Sequence, residues 1–169
     1  MNDLKIDFIK DSLCYRAWSA SVQRANLYKK SSGEAKRNFR KQTISFLQNK
    51  LLPKYKNPCS EKEHYKNIDS LIRFANRVGN MVLNKDGYKY GVSQKLLNLT
   101  LKYYWCLDFV KEPPHCPIDR NIINEIDKTN VPNLNWTQIT SKTEYMKIIE
   151  AIKDEASNMS ISEWELRNY

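Results

Sequence analysis

Glycine and proline are scarce in this chain, four and six residues of 169. With Leu, Ile, Lys, Asn and Glu abundant, that scarcity points to a mainly helical protein with short loops rather than a disordered one. No run of about 18 apolar residues occurs, so no membrane-spanning helix is expected. The N-terminal MNDLKIDFIK carries a charge every few residues and does not read as a signal peptide. A cytoplasmic location is the expectation. The four cysteines, Cys14, Cys59, Cys106 and Cys116, show no CxxC pairing and are expected to stay reduced. Cys14 and Cys106 lie inside apolar helical patterns, where a thiol behaves as a small hydrophobe. A zinc set of His64, Cys106, His115 and Cys116 lacks ligand spacing, because His115 and Cys116 are adjacent. No metal and no cofactor are expected.

Acidic residues are missing from one stretch above all. Residues 1–56 hold 13 Lys or Arg against 4 Asp or Glu, whereas residues 57–169 hold 15 of each. Between Arg24 and Lys56 the basic residues face a single acid, Glu34. A local field of that sign attracts polyanions, and nucleic acid is the commonest such partner, with DNA the first expectation. A solvated, solubilising helix face gives the same composition.

The periodicity predicts an all-α fold: a single domain of six or seven helices around a buried central helix at about 93–110. Residues 1–56 read as a basic helical pair and residues 60–169 as the core. The first helix is expected over 3–30, ended by Ser31, Ser32 and Gly33, and the second over Glu34 to Leu52. Ser60 with Glu63, Ser141 with Glu144 and Ser160 with Glu163 each have the S-x-x-E form of a helix start. Gly79 is a suitable left-handed residue to end the third helix. A loop is expected through Asn130, Pro132 and Asn135.

The stretch GVSQKLLNLTLKYYWCLDFVKEPPHCPIDR, from Gly91 to Arg120, organises the rest. Its helix is apolar on two faces and is interrupted by Gln94, Lys95, Asn98 and Lys102. Ser93 is expected to cap it. A Pro-rich elbow follows and delivers Asp119 to the N-cap of the next helix. A lysine buried among apolar groups holds its amine neutral more readily, which suits attack on an aldehyde-like carbon, and a nearby carboxylate then assists proton transfer. Lys95 and Asp119 are the candidates. Without chemistry they are a lysine snorkelling from a core helix and a plain N-cap.

Gly91, Val92, Lys95 and then, beyond an apolar helix, Pro117 and Asp119 resemble the core of the helix-hairpin-helix DNA glycosylases. The resemblance covers about 30 residues. It implies base-excision repair activity, with Lys95 attacking the sugar C1′ and Asp119 as the activating acid. Ser93 stands where that hairpin has a second glycine, and Tyr90 where it has proline.

The expected nucleic-acid contacts are Lys36, Arg37, Arg40, Lys41, Lys85, Tyr88, Lys89, Tyr90 and Ser93, the two tyrosines stacking on unpaired bases. A pocket for an extruded base is expected at Asn98, Lys102, Trp105 and His115. Tyr103 and Tyr104 fall on the apolar faces and are expected in the core. Besides the glycosylase or lyase, two classes remain open: a nucleic-acid-binding helical module without chemistry, and a host or phage protein that presents its helices to a protein partner.

Overall fold

The computed structural model describes residues 3–129, 131, 133 and 135–168. The expected loop residues Asn130 and Pro132 lie outside the described residues. Among the described residues seven α-helices follow in order: α1 (Asp3–Val22), α2 (Gly33–Phe46), α3 (Glu61–Gly79), α4 (Tyr90–Trp105), α5 (Arg120–Glu125), α6 (Lys142–Ala156) and α7 (Ile161–Asn168). Among the described residues there is no sheet, only one antiparallel bridge between Tyr28 and Leu83. Among the described residues no helix is long and apolar enough to cross a membrane. One hydrophobic core takes side chains from all seven helices, among them Cys14, Phe39, Ile68, Leu96, Ile122, Ile149 and Trp164.

The helix starts follow the hydroxyl and carboxylate signals. The Oγ atoms of Ser32, Ser60 and Ser160 accept from the amides of Ala35, Glu63 and Glu163. Ser141 and Glu144 form a reciprocal capping box. Each bond satisfies an amide that has no partner within its own helix.

The helix ends differ from expectation, for tertiary reasons. α1 stops at Val22 rather than near residue 30, because Arg24 and Asn26 turn left-handed at φ 77° and 43°. The chain beyond them pairs with the loop before α4, through Lys29 N to Val82 O at 3.0 Å and Asn84 N to Leu27 O at 3.0 Å. Gly79 is not a left-handed cap. It is the last residue of α3, as expected of the helix end, and an added Cβ would stand 2.6 Å from both Phe39 Cε2 and Leu83 Cδ1, so its lack of a side chain serves close packing. α2 passes at Leu47 into a π-helical turn and at Leu52 into a 3₁₀ turn ending at Tyr55. In the expected basic pair α1 and α2 touch, with Trp18 against Phe39, but α1 packs chiefly along α4 and α2 along α3.

The central helix is shifted one turn toward the N-terminus. It begins at Tyr90 and ends at Trp105, where Asp108 at φ 57° and the bond from Phe109 N to Tyr104 O fold the chain back. Leu107, which the expected helix to about residue 110 would have included, is exposed, as is Cys106. Ser93 does not cap the helix; it is fully buried and donates to the Ile68 carbonyl.

Candidate functional site

An extended segment with three prolines forms no ladder of its own, so its buried backbone groups need partners from elsewhere. α4 supplies them. The Gln94 side chain reads Ile118 in both directions: Nε2 donates to its carbonyl at 2.8 Å, and Oε1 accepts from its amide at 3.0 Å. One turn on, Asn98 Nδ2 donates to the Cys116 carbonyl at 2.9 Å. The elbow is thereby locked in register along α4. Asp119 is the residue after Ile118 and Lys95 the residue after Gln94, so the lock brings the two charged groups together.

Lys95 Nζ lies 3.4 Å from Asp119 Oδ2. The two carboxylate oxygens divide their work: Oδ1 accepts from the amides of Asn121 at 2.9 Å and Ile122 at 3.3 Å, capping α5, while Oδ2 faces the lysine. The Lys95 side chain is only 11% exposed, and its Nζ stands 4.3 Å from the Trp136 ring centroid. Burial holds the ammonium's pKa below that of free lysine; Asp119 opposes the shift, and the Arg24 charge adds to it. The pair opens into a depression of about 210 Å³ whose wall also includes Arg24, Arg120, Asn121 and Trp136.

Protein-family models, curated proteins and solved structures yield no match to this chain. The helix-hairpin-helix likeness therefore stands on Gly91, Val92, Lys95, Pro117 and Asp119. One part of it meets a specific obstacle: the Gly91 amide donates to the Ile139 carbonyl at 2.9 Å. That amide is not left to bind a backbone phosphate.

The other expected contacts divide by burial. Tyr88 and Tyr90 are 1% and 3% exposed, so neither stacks on a base. Tyr88 instead stacks against Trp18 with centroids 6.3 Å apart. Ser93, fully buried, has no access to a ligand. Lys85 is exposed, while Lys89 pairs with Asp86 at 3.2 Å. On α2, Arg37 and Lys41 are exposed, and Lys36 and Arg40 lie over the rings of Tyr28 and Tyr15 at 5.3 and 5.2 Å.

The expected base pocket does not form around Asn98 and His115, which are fully buried; Asn98 Nδ2 and both ring nitrogens of His115 are spent on structure. Asn98 Nδ2 also donates to Tyr145 Oη at 3.0 Å, and Tyr145 Oη lies 2.9 Å from His115 Nδ1. His115 Nε2 faces Glu61 Oε1 at 3.1 Å. A carboxylate only accepts, so Nε2 carries the proton and Nδ1 accepts from the tyrosine hydroxyl. Burial lowers the His115 pKa and keeps the ring neutral. Lys102 pairs with Glu165 at 2.6 Å, and Trp105 is half-exposed at the end of α4. The imagined zinc set does not converge, since Cys106 is exposed while His64, His115 and Cys116 are buried.

Glu61 is held at a pKa of about 2 by the hydrogen bond from His115 and by Lys153. A carboxylate whose folded pKa lies below its ordinary value near 4.5 contributes stability that is present above that value and lost as the pH falls toward 2. Because the side chain is 38% exposed, solvent screens much of the interaction. The urea midpoint of the parent is expected to fall more steeply between pH 4.5 and 2 than that of Glu61→Gln. Parallel profiles would count against the bond.

Sequence reasoning missed Arg24, Trp136, Tyr145 and the clamping role of Gln94. For Gln94 and Asn98 a signal existed: two amides one turn apart on an apolar helix that precedes an extended Pro-rich segment. For Arg24 and Trp136 there was none, because they reach Lys95 only through the tertiary fold.

Proposed function

We propose that this chain is a cytoplasmic nucleic-acid-processing enzyme of the DNA glycosylase or abasic-site lyase kind, with Lys95 as nucleophile and Asp119 as its acid–base partner. The observation that carries the reading is the 3.4 Å approach of Lys95 Nζ to Asp119 Oδ2 in a half-buried recess open to solvent. The recess of about 210 Å³ is below the roughly 300 Å³ at which drug-sized ligand pockets begin. That favours the ring-opened sugar of an abasic site over an extruded base.

In this reading Asp119 takes one proton from the Lys95 ammonium, and the freed amine adds to the C1′ aldehyde to give a carbinolamine. The carbinolamine hydroxyl leaves as water with the proton returned by Asp119, and the lysine is left as a protonated imine. Removal of the C2′ proton by the carboxylate then expels the 3′ phosphate. The lowered pKa of Lys95 makes the neutral amine available at a lower pH than free lysine would allow.

Borohydride trapping on an oligonucleotide with an abasic site tests this directly. The parent is expected to give a covalent adduct whose yield rises with pH, and Lys95→Gln none. No adduct from the folded parent across that pH range rejects the reading. A second reading, binding without chemistry, is favoured by the α2 surface, where Lys36 and Arg40 are braced on tyrosine rings beside exposed Arg37 and Lys41. Salt-sensitive binding without an adduct selects it.

A further inference from the structure

We infer that Arg24 and Arg120 form a phosphodiester-binding pair at the mouth of the Lys95–Asp119 recess, and that the fold gives up stability to place Arg24 there. The inference rests on the proposed action of this site on a nucleic-acid sugar, and it names the group that docks the strand.

Both arginines line the recess and both are exposed. Among the described residues neither takes part in an ion pair, although Lys95 engages Asp119 and acidic side chains elsewhere are taken up by Lys54, Lys66, Lys89, Lys102 and Lys153. Around the single carboxylate of Asp119 the recess therefore carries three cations, Arg24, Lys95 and Arg120. Asp119 is already engaged by Lys95, so the remaining charge suits an anion from outside. The guanidinium is a planar fork of donors that matches phosphate oxygens. A phosphate flanking an abasic sugar, seated between the two arginines, would set C1′ over Lys95.

The backbone supplies the second observation. Arg24 follows the end of α1 at Val22 by two residues and has φ 77°, the left-handed region that residues with a Cβ avoid. The amide of Ala25 closes the turn onto the Val22 carbonyl at 3.1 Å. At such a helix end glycine is the residue of lowest conformational cost. An arginine standing there has no ion pair of its own to offset the strain. Its side chain does line the recess, and non-glycine residues in strained backbone gather at sites where they serve a ligand.

The test is a variant that separates stability from binding. Arg24→Gly is expected to raise the thermal midpoint by about 2–4 °C. It is also expected to weaken binding to an oligonucleotide carrying a stable tetrahydrofuran abasic analogue by about tenfold, with the log K against log salt slope shallower by about one phosphate contact. Arg120→Gln is expected to lose a similar share of binding with no gain in midpoint. Unchanged affinity and slope in Arg24→Gly, or in the double variant, overturn the phosphate pair, and a lowered midpoint overturns the strain argument. If binding depends on both arginines but the parent gives no borohydride adduct, the pair stands and the lyase reading falls. If the double variant still traps and binds as the parent does, the lyase reading stands and the pair falls. A parent that does not bind the analogue at low salt removes both.

Discussion

Gly91→Ala is expected to destabilise the protein by about 3 kcal/mol, the upper end of what overpacking costs. A methyl group there would overlap the Trp136 carbonyl oxygen, and it would stand 3.0 Å from the carbonyl carbon and 3.3 Å from Ile139 Cβ. The Gly91 amide is bonded to Ile139, and its neighbours Tyr90 and Val92 are buried, so α4 has no free direction in which to move. The sign is diagnostic, because in an exposed helix interior the same change stabilises by about 1 kcal/mol. With urea slopes of about 1–3 kcal/mol per molar, the midpoint should drop by roughly 1–3 M. Gly33→Ala is the control: its Cβ meets only Arg37 Nη1 at 3.4 Å, and the midpoint should hold or rise. A Gly91→Ala protein as stable as the parent would mean that residues 136–139 do not lie against the start of α4.

Gln94→Leu is expected to abolish borohydride trapping while Lys95 and Asp119 are both still present, and to cost about 3 kcal/mol of stability. Leucine fills similar volume but leaves the amide and carbonyl of Ile118, itself 0% exposed, without partners. Each unpaired buried group costs about 1–3 kcal/mol. The residue released is the one that precedes Asp119, so the carboxylate loses its fixed position against Lys95. A simple packing defect would lower stability and leave the adduct yield per folded molecule unchanged. That split distinguishes a positioning role from a structural one.

Much of this architecture is legible in the chain. The helical class, the S-x-x-E starts, the N-cap role of Asp119 and the burial of the central helix follow from local spacing, and local spacing is what a single sequence records. The approach of Lys95 to Asp119 was not legible, since the chain between Trp105 and Asp119 is long enough to span roughly 40 Å; the bonds of Gln94 to Ile118 bring the two together. What failed was whatever depends on a distant segment. Tyr88 and Tyr90 look like surface aromatics between lysines, yet Trp18 of α1 and Tyr145 of α6 cover them. Gly79 does end α3, but not as a left-handed cap, and only the arrival of Phe39 shows why a side chain is excluded there. Arg24 lies inside a continuous helical pattern on paper, and its left-handed turn is set by pairing between residues 27–29 and 82–84.

The packing of α1 on α4 also determines how the protein should fold. All-helical domains are usually fast folders because their contacts are local. Here the most extensive helix–helix contact joins segments far apart in the chain: Cys14 Sγ meets Tyr104 Oη at 3.4 Å across 90 positions, and Tyr104 Oη donates to the Lys10 carbonyl across 94. Closing so long a loop comes before the contacts that reward it, so folding should be slow for a helical chain of this size. The recess inherits the same dependence, because Arg24 rides on the end of α1, Lys95 on α4 and Trp136 on the segment beyond α5. Its lining runs from Ala20 to Trp136, so no short fragment contains it, and loss of the adduct and loss of helical signal should fall on a single denaturant curve.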